Sequence, residues 1–177
     1  DLHSCSVSDS FGWEQDNFIG SLPQSNKSHK DWASSYVTER LLPQFKMAKE
    51  KGLMMPRDIP KESALLRGCR QFFPKVKPAL LHGDLWGGNY LINSQGEPYL
   101  IDPAVYYGHH EVDLAMTKLF GGFSSSFHNT YSEHFPADTH QNERKDIYQL
   151  YYLLVHLNLF GRSYYPSVKQ LVKTYFG

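Results

Sequence analysis

The sequence predicts an α+β fold that is mostly helical, with one short β-hairpin between helices. Apolar side chains recur at helical spacing in several stretches, and two short β-rich runs flank a single turn. The chain has 177 residues, of which 41% are hydrophobic and 15% aromatic, so it is long enough for a packed core. We therefore expect residues 1–177 to form one domain.

The first part of the chain predicts an irregular segment followed by two helices. Residues 4–30 mix turn residues with aromatics, a pattern that fits either short strands or a long structured loop. Asp31 is a suitable N-cap for a helix that reaches about Glu50, and Pro43 predicts a kink or break inside that helix. A second helix is expected from Arg57 to Phe73, where prolines follow.

The second part predicts a strand, a hairpin and then helices. Ala79–Leu81 is expected to be a short strand, and the runs 89–93 and 98–102 are expected to pair across the turn Ser94–Glu97. After Gly108 the predicted helices are Glu111–Phe120, Ser124–His134, Asn142–Phe160 and Pro166–Phe176.

Charge and cysteine content argue against several classes of protein. The formal net charge is zero, which does not indicate a nucleic-acid surface or a polybasic membrane patch. No apolar run reaches the roughly 18 residues that a membrane span needs. Cys5 and Cys69 are far apart and form no metal-binding pair, a pattern typical of a protein in the reducing cytoplasm.

The most informative motif is His82-Gly83-Asp84-Leu85-Trp86-Gly87-Gly88-Asn89, followed by Asp102 after the predicted hairpin. The spacing H-x-D-x-x-x-x-N is that of a kinase catalytic loop, in which the Asp accepts the proton of the substrate hydroxyl and the Asn binds Mg²⁺. Asp84 is thus the predicted base, and Asn89 and Asp102 are the predicted Mg²⁺ ligands, which suits a cation that prefers oxygen. The alternative is that the motif is a turn and Asp102 a strand cap, but the full set is far more specific than a lone H-x-D.

Residues around this motif are expected to support it. His82 is predicted to orient the loop, and Asp113 to cap a helix and bond the loop. Trp86 is expected either to stack on substrate or to plug the core. His109-His110-Glu111 does not have the spacing of a zinc site. The aromatic cluster at positions 148, 151, 152, 160, 164 and 165 is expected to be helix packing.

Parts of a complete kinase are missing from the sequence. No G-x-G-x-x-G-x-V loop, V-A-I-K strand or Walker A motif occurs anywhere in the chain. The triphosphate would therefore lack its covering loop and its lysine, and the chain alone is expected to be inactive.

The chain resembles the fructosamine/ketosamine-3-kinase family, within the aminoglycoside-phosphotransferase-like kinases. The resemblance covers nearly the whole sequence. It rests on these stretches: Phe11-Gly12-Trp13, Asp16–Gly20, Pro23–Asn26, Asp31-Trp32, Arg40-Leu41, His82–Asn89, Asp102-Pro103-Ala104, Tyr106-Tyr107-Gly108, Glu111–Met116, Leu119–Phe123 and His156–Gly161. It implies the C-terminal lobe of a protein-kinase-like fold, with the N-terminal nucleotide-binding lobe absent from this chain.

The resemblance also implies an activity. ATP, with Mg²⁺, would phosphorylate the 3-hydroxyl of a ketosamine, either a small molecule or a glycated protein, and the unstable product would release the amine. Trp86 is the residue on which substrate would stack, and Gln24 and Asn26 would help to wall the acceptor site. Two alternatives remain open: a kinase for another small molecule, such as an aminoglycoside or a choline-like acceptor, and a non-catalytic module that binds the acceptor.

Overall fold

The computed structural model describes residues 2–4 and 8–177, so Cys5 lies outside the described residues. The fold is α+β and mostly helical, as predicted. The strands are β1 (Asn17–Ile19), β2 (Leu22–Gln24), β3 (Ala79–Leu81), β4 (Tyr90–Ile92), β5 (Pro98–Leu100) and β6 (Tyr106–Gly108). The α-helices are α1 (Trp32–Tyr36), α2 (Leu42–Glu50), α3 (Glu62–Phe72), α4 (Glu111–Leu119), α5 (Ser125–His134), α6 (Gln141–Phe160) and α7 (Tyr165–Phe176).

Helices α1 and α2 are joined by a π-helical turn at Val37–Leu41, so that one unbroken helical segment results. The predicted cap is confirmed, because the Asp31 carboxylate accepts from the backbone N–H of Ser34 at 3.0 Å. Pro43 has no N–H to donate to the carbonyl of Glu39, four residues earlier. The Arg40 guanidinium donates to that carbonyl instead, at 3.1 Å. The helix therefore continues past Pro43, and the proline changes only the local pattern of hydrogen bonds.

The prediction of a single hairpin was wrong, because the described residues contain three two-stranded antiparallel sheets. β1 pairs with β2, and β4 with β5 in the predicted hairpin. The third sheet joins β3 to β6 with Leu80 opposite Tyr107. Each strand has three residues, too few for alternation of apolar and polar side chains to identify β6. The β3–β6 sheet matters for the site, because the catalytic motif begins directly after β3 and α4 follows β6.

The long helix α6 lies at the centre of the core. Tyr148, Tyr151 and Tyr152 are fully buried on it, as the packing prediction requires. The same prediction was wrong for Phe160, the last residue of α6, whose side chain is 65% exposed. No helix in the described part of the chain is long and apolar enough to cross a membrane.

Candidate active site

The catalytic loop is fixed at its first residues by one carboxylate from α4. Asp113 is fully buried, and its two oxygens accept the backbone N–H groups of His82 at 2.8 Å and Gly83 at 2.9 Å. The Nε2 of His3 lies 2.9 Å from the same carboxylate. Hydrogen bonds to a charged acceptor are about twice as strong as neutral ones, so this clamp holds the start of the loop rigidly.

His82 joins the loop to the far end of the hairpin. Its Nε2–H donates to the carbonyl of Ile101 at 2.9 Å, and its Nδ1 accepts the N–H of Asp84 at 3.3 Å. The two contacts require the neutral tautomer with the proton on Nε2. The imidazole thereby links the backbone at Asp84 to the backbone just before Asp102.

Asp84 is only partly exposed and bonds to Asn89 across the loop. The amide nitrogen of Asn89 donates to the Asp84 carboxylate at 3.1 Å and to its backbone carbonyl at 2.9 Å. Burial raises the pKa of Asp84 to about 6, and the carboxylates of Asp113 and Asp102 act in the same direction. The hydrogen bond from Asn89 acts in the opposite direction and lowers the pKa of Asp84. The resulting carboxylate is more basic than an ordinary surface Asp yet largely ionised at neutral pH.

Gly83 is required by a close approach between two backbone segments. Its φ is +82°, and a Cβ at this position would lie 2.1 Å from the carbonyl oxygen of Ala104. The Ala104 N–H donates in turn to the His82 carbonyl at 2.9 Å. The loop and the segment after the hairpin are therefore in backbone contact, and only glycine fits between them.

The predicted metal ligands, Asn89 and Asp102, flank the β4–β5 hairpin at its open end. Asn89 is buried, and its amide nitrogen bonds Asp84, which leaves its oxygen as the donor atom for a cation. The Ile101 N–H donates to the Asn89 carbonyl at 3.0 Å and so brings Asp102, the next residue, to the same end of the hairpin. One amide oxygen and one carboxylate suit Mg²⁺, which takes few protein ligands. Within residues 2–4 and 8–177 no group of three or more His, Cys, Asp or Glu side chains could hold a metal ion.

A cleft of about 430 Å³ opens beside Asp84. Trp86, which is 41% exposed, lines it together with Asp84, so the indole lies against the cleft and does not plug the core. The indole also covers Gly88, where a Cβ would lie 2.3 Å from the ring. The opposite wall comes mainly from α4 and the end of α6: Met116, Phe120, Val155, His156, Leu159, Phe160 and Tyr164.

The aromatic wall that α6 supplies to the cleft was not predicted from the sequence. The ring of His156 packs at a tilt against Phe120, with a centroid distance of 4.4 Å, and against Phe160, at 5.3 Å. The available signal was the position of Phe160 directly before Gly161, because the last apolar side chain of a helix lies at the edge of the packed core. Burial lowers the pKa of His156, so the imidazole is neutral at physiological pH.

The segment Phe120–Phe123 packs directly on the catalytic loop. A Cβ on Gly122 would lie 2.6 Å from the Cα of Gly87, so the two glycines allow the backbones to touch. The Tyr90 hydroxyl donates to the Gly122 carbonyl at 3.2 Å, and its ring lies 5.2 Å from that of Phe123. The segment that begins at Phe120, which lines the cleft, is therefore in backbone contact with the catalytic loop.

The structure does not bring Gln24 and Asn26 to the cleft. Both are buried, and their side-chain amides bond to protein groups on both the nitrogen and the oxygen. Gln24 donates to the carbonyl of Ala104 at 3.1 Å. Gln24 therefore lies against the segment that follows Asp102, Asn26 lies next to Asn17, and neither residue lines the cleft.

The histidines next to α4 belong to a buried hydrogen-bond network. The Tyr131 hydroxyl lies 2.7 Å from Nδ1 of His3 and 3.0 Å from Nδ1 of His110. His109 bonds the Tyr148 hydroxyl at 2.9 Å, and Glu111 forms a buried ion pair with Arg144 at 2.6 Å. These contacts explain the run His109-His110-Glu111 as support for the helix that carries Asp113.

Comparison with known proteins agrees with this geometry. The family model described as fructosamine kinase matches residues 1–176. The chain is 44% identical over 175 residues to a protein named probable ketoamine kinase from Synechocystis sp., covering 97% of this chain and 58% of that protein. It is 39% identical over 168 residues to the ketosamine-3-kinase of Mus musculus, covering 93% of this chain and 53% of that protein.

A solved structure has the same fold. A crystal structure from Haemophilus somnus, whose description names fructosamine-3-kinase, aligns with a TM-score of 0.86 at 30% identity, over 99% of this chain and 60% of that one. The chain thus spans between half and two thirds of the length of the proteins it matches.

Proposed function

Because the chain belongs to the fructosamine kinase family, we propose that it takes part in the ATP-dependent phosphorylation of the 3-hydroxyl of ketosamines. The observation that carries the proposal is that Asp84 and Trp86 line one cleft, while the side-chain amide of Asn89 donates to the Asp84 carboxylate. A base, a stacking surface and an oxygen donor for a cation therefore meet around the point where phosphoryl transfer would occur.

Asp84 is proposed as the general base. Its carboxylate accepts the proton of the 3-hydroxyl as that oxygen bonds to the γ-phosphorus and the bond from phosphorus to the leaving oxygen of ADP breaks. A pKa of about 6 suits this step, because a base works best when its pKa is near the operating pH. The hydrogen bond from Asn89 and the backbone held by His82 keep the carboxylate in one orientation.

Asn89 and Asp102 are proposed to hold Mg²⁺. The ion would neutralise charge on the phosphates that interact with it, which lowers the barrier to phosphoryl transfer. Asn89 offers its amide oxygen from the end of the catalytic loop, and Asp102 offers its carboxylate from the end of the hairpin. The chain contains no glycine-rich phosphate loop and no V-A-I-K lysine. We therefore propose that residues 1–177 are a kinase-like lobe that supplies the acceptor and metal groups, and that this chain alone turns over poorly.

The cleft is proposed as the acceptor site. Its volume of about 430 Å³ lies in the range of small-molecule sites, roughly 300–1,000 Å³. A ketosamine has a sugar with an apolar C–H face and a secondary amine that is positively charged at neutral pH. The Trp86 indole can stack on the former, and an aromatic wall attracts the latter through cation–π interaction. The cleft is lined by the exposed side chains of Trp86 and Phe160, so it can admit an amine of a free amino acid or of a lysine on a glycated protein.

The proposal is tested by incubating ATP, Mg²⁺ and ribuloselysine with residues 1–177 and with the full-length gene product, followed by mass spectrometry. We expect transfer of one phosphoryl group by the full-length protein and little by residues 1–177. Asp84→Asn in the full-length protein should lower the rate by at least about 10²-fold, the usual contribution of a general base. Asp146→Asn, which changes a carboxylate that bonds Tyr175 on α7, is the matched control.

Three results would contradict parts of the proposal. Retained activity in Asp84→Asn would remove Asp84 from the role of base. Absence of ribuloselysine phosphorylation, with transfer to an aminoglycoside or a choline-like alcohol, would reassign the acceptor. Full activity of residues 1–177 would overturn the proposal that this chain is insufficient alone.

A further inference from the structure

Asp102 has a strained backbone. Its φ is +51°, and it is the one non-glycine residue with positive φ among the described residues. An L-residue in this left-handed region costs energy and persists only where its surroundings fix it. Asp102 is also exposed, so burial of its own side chain does not hold it there. The constraint must come from the residues on either side.

The catalytic loop holds one flank of Asp102. Ile101 donates its N–H to the Asn89 carbonyl at 3.0 Å and accepts the Nε2–H of His82 at 2.9 Å. Ala104 donates its N–H to the His82 carbonyl at 2.9 Å. These bonds fix one edge of the segment 101–104, but they leave the carbonyls of Ala104 and Val105 to be held from elsewhere.

The β1–β2 hairpin holds the other edge. Gln24 donates its amide N–H to the Ala104 carbonyl at 3.1 Å, and Asn17 donates to the Val105 carbonyl at 2.8 Å. The two donors lie opposite each other in the β1–β2 register, so one small sheet presents both amides to consecutive carbonyls.

The amide of Gln24 is itself oriented. The hydroxyl of Tyr151 donates to its oxygen at 2.6 Å, and its nitrogen also donates to the Asn17 oxygen at 2.9 Å. Asn26 donates to the same Asn17 oxygen and accepts from the buried guanidinium of Arg40 at 2.7 Å. A network in which each amide is paired at both ends has one arrangement, and it therefore acts as a rigid support.

We propose that Gln24 and Asn17 are positioning residues that lock Asp102 in its left-handed conformation and so present its carboxylate to the cation beside Asn89. The cation part rests on the proposed function, whereas the locking rests on the hydrogen bonds alone. Gln24 and Asn17 do not touch substrate. They act through the backbone of residues 104 and 105.

The test compares Gln24→Met with Gln44→Met in the full-length gene product. Gln24 and Gln44 are both 2% exposed and both bond through their side-chain amides, but Gln44 accepts from Asn158 on α6 and not from the segment 101–105. Two quantities are measured: hydrogen exchange of the Ile101 and Ala104 amides by NMR, and binding of Mn²⁺ in the presence of ADP by electron paramagnetic resonance. Unfolding by urea checks that the two variants lose similar stability.

We expect Gln24→Met to speed exchange at both amides and to weaken Mn²⁺ binding, each by about tenfold, because it leaves the Ala104 carbonyl unpaired. Gln44→Met should change neither quantity beyond its effect on global stability. If Gln24→Met does not fold, Tyr151→Phe, which removes only the hydroxyl that orients Gln24, should give a smaller effect in the same direction.

Equal exchange and equal Mn²⁺ affinity in the Gln24 and Gln44 variants would overturn the proposal. Faster exchange in Gln24→Met, in a protein whose unmodified form binds no Mn²⁺–ADP, would support the locking and contradict the metal site of the proposed function. The two failures are therefore distinguishable.

Discussion

The clamp made by Asp113 gives the sharpest stability prediction. The carboxylate is fully buried and accepts the N–H groups of His82 and Gly83, at 2.8 and 2.9 Å, together with His3. In Asp113→Asn one carboxylate oxygen is replaced by an NH₂ group. This group is a donor and faces a backbone N–H, which is also a donor. At least one buried backbone N–H then loses its partner, and the other loses a charged acceptor.

The magnitude follows from these two losses. A hydrogen bond to a charged group is worth about 1.5–3 kcal/mol, and an unpaired buried donor costs about 1–3 kcal/mol. Because the asparagine oxygen still accepts one bond, we expect the free energy of unfolding to fall by about 3 kcal/mol. The loop that carries Asp84 should loosen with it, so phosphotransfer should fall as well.

The assay is urea unfolding of the full-length gene product, followed by tryptophan fluorescence, with Asp146→Asn as the control. Asp146 also accepts a side-chain hydrogen bond, from Tyr175 at 2.7 Å, but its side chain is 31% exposed. We expect the control to cost less than about 1 kcal/mol, as is usual for partly exposed polar groups. A loss in Asp113→Asn no larger than in the control would refute the reasoning.

Three further predictions concern the site and its support. Gly83→Ala should destabilise the protein by at least about 2 kcal/mol more than Gly96→Ala in thermal unfolding. The two glycines have nearly the same φ, +82° and +83°, but only a Cβ on Gly83 would collide with a neighbouring atom, the Ala104 oxygen. Asp102→Gly should raise the free energy of unfolding by about 1 kcal/mol while phosphotransfer falls, and a loss of stability would show that the left-handed backbone is not strained. Burial lowers the pKa of His110 from 6.5 to about 4, so the unfolded chain binds the additional proton and stability should fall by about 3 kcal/mol as pH drops from 6.5 to 4. His110→Asn, which cannot titrate, should lose correspondingly less in the same pH series.

Features encoded within a few residues could be predicted from the sequence. The helix cap at Asp31 and the helices 111–119, 125–134 and 165–176 depend on local spacing, and they lie within a few residues of the predicted bounds. The relation of Asp84 to Asn89 also depends on a separation of five residues, which one tight loop can span.

Features that depend on distant pairing could not be predicted in this way. The strand β6 has only three residues and depends on pairing with β3, in which Leu81 lies opposite Tyr106, 25 residues later in the sequence. Such a short strand gives no periodic signal of its own. Trp86 left two interpretations open, because only the tertiary position of α6 decides whether a large apolar side chain faces a cleft or the core. The left-handed backbone of Asp102 is likewise invisible in a sequence that has no glycine there.

The role of Gln24 depends on distant contacts and not on its local sequence. Its partner, the Ala104 carbonyl, is 80 residues away, and the partner of Asn17 is 88 residues away. The local motif Pro23–Asn26 identified a segment that matters, but it could not say whether the amides face substrate or backbone. Because both amides end on carbonyls next to Asp102, a substitution there should alter metal binding before it alters recognition of the acceptor. If Gln24→Met raises the KM for ribuloselysine but leaves the Mn²⁺ affinity unchanged, Gln24 contributes to the acceptor site and not to the position of Asp102.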